Sequence, residues 1–207
     1  MSDTLKPRTL AAFALASALA ATLGACGGGS NPFGNPPSVE NPAGIGGQKL
    51  SFAYFERCVY PVFQAKLPIQ QGNVSSINTC AGSGCHDNVN GTGGSFRVIS
   101  NAAVVDITDP ANTPDMIRAT DMYKNFYSAT GAVVLGSPTE SRLLLKPLVQ
   151  GVLHGGGIVF DSVDDPNAKL IAFWISRPMP AGHDEFSSSA ANMFTPADPN
   201  TGACNTQ

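Results

Sequence analysis

The stretch Cys80-Ala81-Gly82-Ser83-Gly84-Cys85-His86 closes two thiols on a histidine, and whatever these side chains hold must have the rest of the fold built around it. A cysteine pair ending in Cys-His is the pattern by which a polypeptide attaches haem c covalently. Each thiol adds across one vinyl group, and the adjacent imidazole then lies beneath the iron as proximal ligand. The usual spacing leaves two residues between the cysteines, whereas this chain has four. Consecutive Cα atoms are about 3.8 Å apart, so the longer loop has to fold back to hold its sulfurs at the separation a porphyrin sets. Gly82 and Gly84 permit that, because glycine tolerates positive φ. Two other readings use the same residues. One is a Cys80–Cys85 disulfide. The other is zinc, for which the adjacent Cys85 and His86 are poorly placed to face one ion and which needs further ligands from distant segments.

Export accounts for the start of the chain. Lys6 and Arg8 precede an apolar run from Leu10 to Leu23, and small residues lead to Cys26, as in a secretory signal over residues 1–25. The run is short for a bilayer span. Leu23-Gly24-Ala25-Cys26 resembles a bacterial lipobox, which implies cleavage before Cys26 and lipid on its sulfur; two or three acyl chains hold firmly where one holds weakly. An ordinary signal peptide that leaves Cys26 as a free thiol is the alternative. Gly27, rather than Asp, follows Cys26, and by resemblance to lipoprotein sorting in enteric bacteria this implies the outer membrane, facing the periplasm or the surface. Of five cysteines, Cys58 and Cys204 remain, and in an oxidising compartment they are expected to pair.

Charge narrows the partners. The net charge is −3, and loss of the leader, which carries +1, leaves −4, a balance unsuited to nucleic acid. With 43% hydrophobic residues the chain can bury one core, while 22 glycines and 16 prolines favour turns and irregular segments. Residues 26–47 form a Gly/Pro/Asn-rich stretch without apolar periodicity, expected to be a flexible tether. Residues 48–207 are the expected folded domain. Phe52, Phe55, Val59 and Val62 or Phe63 predict a helix over 49–64 with one face inward. A Gly-rich turn at residues 91–94 and an ambiguous apolar piece from Phe96 to Val105 come after the cysteine loop. Thr113-Pro114 opens a predicted helix with Met116, Ala119, Tyr123 and Phe126 on one face, stopping before Gly131. Ser137-Pro138-Thr139-Glu140 reads as a capping box for a helix over 138–145, and Asp165-Pro166 starts one that runs to about Ile175. The polar segment from Ser187 to Gln207 wraps back so that Cys204 can reach Cys58. The expected fold class is therefore mostly α: a small helical domain with long irregular loops.

The order of motifs resembles the cytochrome c-like domains of exported planctomycete and proteobacterial proteins. It comprises Tyr60-Pro61-Val62-Phe63, the cysteine pair, Gly136-Ser137-Pro138 with Ser141-Arg142-Leu143-Leu144, then His154-Gly155-Gly156-Gly157, then Trp174-Ile175. The resemblance spans about Phe52 to Ile175, and the four-residue spacing departs from the family's usual two. It implies a compact haem domain whose distal iron ligand lies on a loop before the C-terminal helix. His154 fits that place. Met179, in a Met-Pro pair after the helix, is the alternative ligand, and His183 or an open sixth site are others. Histidine–histidine iron has a lower potential than histidine–methionine iron.

Together these readings describe a lipid-anchored monohaem c-type cytochrome passing single electrons to redox protein partners. It is an electron carrier rather than an enzyme, with Cys80, Cys85, His86 and His154 on the haem and no catalytic residue. A cofactor-free, disulfide-stabilised lipoprotein acting as a binding module is a competing reading, as is a haem sensor or peroxidase. Cys26→Ser is expected to release the exported protein from membranes in a fractionation assay; persistent membrane association would count against the lipid anchor.

Overall fold

The computed structural model describes residues 47–207. The expected leader over 1–25, Cys26 as the expected lipid site, and all but the last residue of the expected tether lie outside the described residues. One long helical segment forms the axis of the domain, and little of it meets water. Ser51 caps its start by accepting from the Tyr54 N–H (3.1 Å), and the helix runs through Phe52–Tyr54, a π-helical stretch Phe55–Val59 and Tyr60–Gln64, here together called α1. The π stretch has a local cause. Pro61 has no N–H to give the carbonyl four residues back and its ring crowds that position, so the turn ahead of it widens. The predicted single inward face understates the outcome: Phe52, Ala53, Tyr54, Phe55, Cys58, Val59, Tyr60, Val62 and Phe63 are all buried. Aromatic rings surround the helix. Phe55 lies 5.4 Å from Trp174, 5.5 Å from Phe126 and 6.0 Å from Phe63, and the Trp174 Nε1–H donates to the Ser51 carbonyl (2.9 Å).

The expectation of a mostly α-helical domain is corrected by two small sheets. Strands β1 (Leu67–Gln71) and β2 (Val74–Asn78), directly after α1, form an antiparallel hairpin in the register Leu67↔Asn78 to Gln71↔Val74. A second antiparallel pair, β3 (Phe194–Thr195) and β4 (Ala203–Cys204), closes the C-terminal wrap. Helix accounts for 34% of the described residues and strand for 11%, so this is a mixed α/β small domain. Helical periodicity gives no warning of strands only two to five residues long.

The remaining helices are α2 (Pro114–Arg118), α3 (Asp121–Thr130), α4 (Arg142–Leu148) and α5 (Pro166–Ser176). The helix expected from Thr113 to Gly131 is two, because Thr120 accepts from the Tyr123 N–H (3.1 Å) and starts a new one. The buried face shifts accordingly to Ile117, Met122 and Phe126, and Met116 is exposed. The capping box at Ser137 does not form: Pro138–Glu140 is a 3₁₀ turn, and α4 starts after Ser141, whose hydroxyl instead accepts from the Val134 N–H (2.9 Å). Asp165 caps α5 as expected, accepting from Asn167 and Ala168. The wrap brings Cys204 to Cys58, and the two form a disulfide with Cα atoms 6.0 Å apart across 146 positions. A bridge closing so long a loop can add up to about 5 kcal/mol on the loop-entropy model.

Glu56 is buried on α1, where its carboxylate accepts from the Val105 N–H (2.6 Å) and pins the irregular segment before α2. Burial pushes this carboxyl up to about 7, against the opposing pull of the Val105 bond and Arg57 and with a small push from Asp106. The folded state therefore binds the proton more tightly than the unfolded chain. Its contribution to stability is full below the unfolded pKa and is lost as pH rises through 7. Relative to Glu56→Gln, the wild-type chain is expected to lose about 3 kcal/mol between about pH 4 and pH 8 in urea unfolding. Parallel pH profiles for the two proteins would contradict this.

Candidate functional site

The four-residue loop folds back on itself as its length requires. The His86 N–H donates to the Cys80 carbonyl (2.9 Å) and the Cys85 N–H to that of Gly82 (3.0 Å), so Cys80 and His86 are joined across the turn. Gly84 takes φ of +80°, as expected. Gly82 serves differently: a Cβ there would collide with the Asn78 side chain, so it permits close approach rather than positive φ. The Ala81 N–H donates to the Phe63 carbonyl (3.0 Å), which ties the turn to the end of α1. Cys80 and Cys85 remain free thiols in a protein whose other described cysteines are bonded to each other. Burial pushes the Cys80 thiol up to about 12, with Cys85 adding to the effect, and the Cys85 sulfur lies 3.5 Å from the Asn78 amide nitrogen.

His86 is aimed by the segment C-terminal to it. Its Nδ1 lies 3.0 Å from the Phe96 carbonyl, and its ring sits 4.7 Å from the Phe96 ring, which in turn meets Phe63 of the core at 5.1 Å. A carbonyl only accepts, so Nδ1 carries the proton and the lone pair of the imidazole is on Nε2. Gly93 lies close against this ring: a Cβ there would come within 2.5 Å of both Cε1 and Nδ1.

His154 has the same arrangement. Its Nδ1 donates to the Gly157 carbonyl (2.6 Å), which leaves its Nε2 lone pair free as well. The glycines after it have separate duties. Gly156 lets the ring lie close, with a Cβ 3.2 Å from Cε1, and Gly157 takes φ of +81° beneath the Gln70 carbonyl, where any Cβ would collide. Gln70 and Ile158 exchange backbone hydrogen bonds at 2.9 and 2.8 Å, and the Gln71 amide donates to the Gly155 carbonyl (2.9 Å). The hairpin β1–β2 thus docks the His154 loop through β1 and touches Cys85 through Asn78 at the end of β2.

The result is that the His86 and His154 rings lie 6.2 Å apart, centre to centre, with planes only 14° from parallel. Burial lowers the pKa of both, with the Phe96 and Gly157 bonds pulling the other way and Lys146 adding to the lowering at each. Neutral imidazoles with free Nε2 atoms are ligands rather than acids. Imidazole nitrogens bind metals at about 2.0–2.1 Å and the ring centre lies about 1 Å further, so two rings on opposite sides of one metal have centres about 6 Å apart. Ligating histidines characteristically give their other N–H to a carbonyl, as both do here. Two imidazoles suit a metal that brings its own equatorial donors, and haem is such a group. Among the described residues no group of three or more His, Cys, Asp or Glu side chains is arranged for a bare ion.

The other candidates lie elsewhere. Met179 is buried in the core, its N–H on the Lys49 carbonyl and its sulfur 3.7 Å from the Ser189 hydroxyl. His183 is exposed and its Nδ1 meets the Ser187 hydroxyl at 2.8 Å. Residue order alone did not reveal the supporting shell of Phe96, Gly93, Asn78 and the hairpin. Gly72-Asn73 between two five-residue runs was the available signal, since a two-residue Gly-Asn link marks a hairpin. No family model, curated protein or solved structure matches the chain.

Gly93→Ala is expected to cost about 1–3 kcal/mol in urea unfolding, because the added methyl has to displace the His86 ring. Gly155→Ala, with nothing within 4 Å of its added carbon, is expected to stay within about 0.5 kcal/mol of wild type. Equal costs at the two positions would contradict the close approach at Gly93.

Proposed function

We propose that the protein is a monohaem c-type cytochrome, joined to its cofactor through Cys80 and Cys85, with His86 and His154 as axial ligands. The observation that carries this reading is the pair of near-parallel imidazoles 6.2 Å apart. The two free thiols beside His86 and the resemblance of the motif order to cytochrome c-like domains add to it. When bound, the haem supplies one-electron redox chemistry at iron.

The chain's own residues supply everything around that event. The Phe96 and Gly157 carbonyls hold the Nδ1 protons and so fix the tautomer that presents Nε2. Burial keeps both rings neutral, and Phe63 and Phe96 link His86 to the aromatic core. The hairpin and the loop that it docks also leave Val74, Ile77, Leu153 and Ile158 exposed, with Val74 and Ile77 on opposite faces of β2. With imidazole on both sides, the reading calls for a lower potential than a thioether ligand gives, because thioether favours the reduced metal. With lipid at Cys26, the reading puts the carrier at the outer membrane, facing the periplasm or the surface, where a redox protein partner would exchange electrons with it.

His154→Ala, matured with the haem-attachment machinery, is expected to convert a low-spin visible spectrum to high-spin and to let the reduced protein bind carbon monoxide. Met179→Leu should leave the spectrum low-spin. A low-spin His154→Ala protein that excludes carbon monoxide would contradict the ligand assignment.

A further inference from the structure

We propose that the outer edge of β2 pairs with β2 of a second copy of this chain, antiparallel about a two-fold axis at Ser76, to make one four-stranded sheet. The backbone of the hairpin assigns its own edges. Gln70 gives its N–H to the Ile158 carbonyl (2.9 Å) and takes the Ile158 N–H on its own carbonyl (2.8 Å), so neither group is left for Ser75, the residue opposite it on β2. Gln70↔Ser75 is therefore a non-hydrogen-bonded pair, and Ser75 turns its N–H and C=O away from β1. Alternation gives Ile77 the same orientation, opposite Pro68, which has no N–H to offer. No group among the described residues meets the outward N–H and C=O of Ser75 or Ile77. All of β2 is exposed, on both of its faces, so nothing in the described domain overhangs this edge.

Proteins blunt an open edge with lysine, proline or a bulge, and β2 has none of these. Residues 67–79 carry no charge, and β2 pairs with β1 along its whole length without a bulge. Such an edge takes an added strand by main-chain hydrogen bonding. A second copy fits it in particular. With the axis at Ser76, Ser75 stands opposite Ile77 of the second copy and Ile77 opposite Ser75 of the second copy, and every outward N–H and C=O on both strands is paired. Ile77, 72% exposed in the single chain, lies on the same face as Ile77 of the second copy and diagonal to it at about 7–8 Å, where the two side chains cover each other. Charge favours the same arrangement. The chain carries a net charge of −3, and a neutral edge is where two copies meet without setting like charges together. Paired strands of this length bury less than the roughly 1,200 Å² of a standard interface, so the association is weak and suits copies crowded on one membrane, as the lipid reading at Cys26 would have them. Asn78, whose amide lies 3.5 Å from the Cys85 sulfur, would stand about 14 Å from Asn78 of the second copy, which brings two cysteine turns to one sheet.

The test uses the full chain in cells that export it, oxidised with copper phenanthroline, and reads dimer on a non-reducing gel. Residues opposed at the axis have Cα atoms about 4.5 Å apart, within disulfide range, whereas Ser75 would stand about 8 Å from Ser75 of the second copy. Ser76→Cys is therefore expected to give about tenfold more dimer than Ser75→Cys or than wild type, whose Cys80 and Cys85 set the background. Adding Ile77→Lys, which sets like charges across the axis at an exposed position, should cut that dimer several-fold with monomer at the wild-type level. Dimer at background from Ser76→Cys, equal dimer from Ser75→Cys, or a Ser76→Cys adduct with a different protein in its place would overturn the pairing. If Ser76→Cys does not accumulate, sedimentation of the purified wild-type chain decides. A monomer–dimer equilibrium abolished by Ile77→Lys would support the pairing, and a mass that stays monomeric as concentration rises would overturn it. These readouts do not depend on the cofactor: a colourless chain that still forms the Ser76→Cys dimer would sink the haem reading and leave the pairing standing.

Discussion

Two reciprocal backbone hydrogen bonds between Gln70 and Ile158 hold together segments far apart in the chain, and the site exists because of them. They dock the His154 loop on β1, while β2 returns the chain to the cysteine turn through Asn78. Gly157 is what lets the two backbones meet, since any side chain there would strike the Gln70 carbonyl. The short hairpin is thus the strap that sets one imidazole opposite the other. A two-stranded hairpin is marginal alone, and this one leans on the core through Leu67 and Ile69.

The core gives that strap something rigid to rest on. Trp174, Phe55, Phe126 and Phe63 form a connected set of rings around α1, and Phe96 continues it to His86. The His86 side of the site is therefore an extension of the core, whereas the His154 side is a glycine-rich loop held by main-chain bonds. Such a division puts precision beside the cysteine turn and leaves adaptability at the His154 loop. The Cys58–Cys204 bridge fastens the C-terminal wrap to the same central helix, which compensates for the sparse regular structure between residues 79 and 113.

Much of this was legible from residue order and some was not. The α1 and α5 helices announced themselves by apolar spacing and by Asp165-Pro166, and the leftover cysteines announced the bridge. The thiols, His86 and His154 stood out by residue type. What could not be read was distance: nothing in the spacing of His154 says that a hairpin will carry it to His86, because that rests on long-range backbone pairing. The fold class was misjudged for a related reason. Short strands defined by partners contribute no periodicity of their own, and Gly72-Asn73 was the one local mark they left. The divided helix at Thr120 and the unformed box at Ser137 show the same limit at smaller scale: the Thr120 hydroxyl caps a new helix, and Ser137 makes no side-chain cap while α4 starts only after Ser141.

Two sulfurs decide between a cytochrome and a colourless lipoprotein, and mass spectrometry addresses them directly. The matured chain is expected to carry the added mass of one haem, and after reduction alkylation should reach Cys58 and Cys204 but neither Cys80 nor Cys85. A mature chain of unmodified mass, with Cys80 and Cys85 both open to alkylation, would contradict the cytochrome reading.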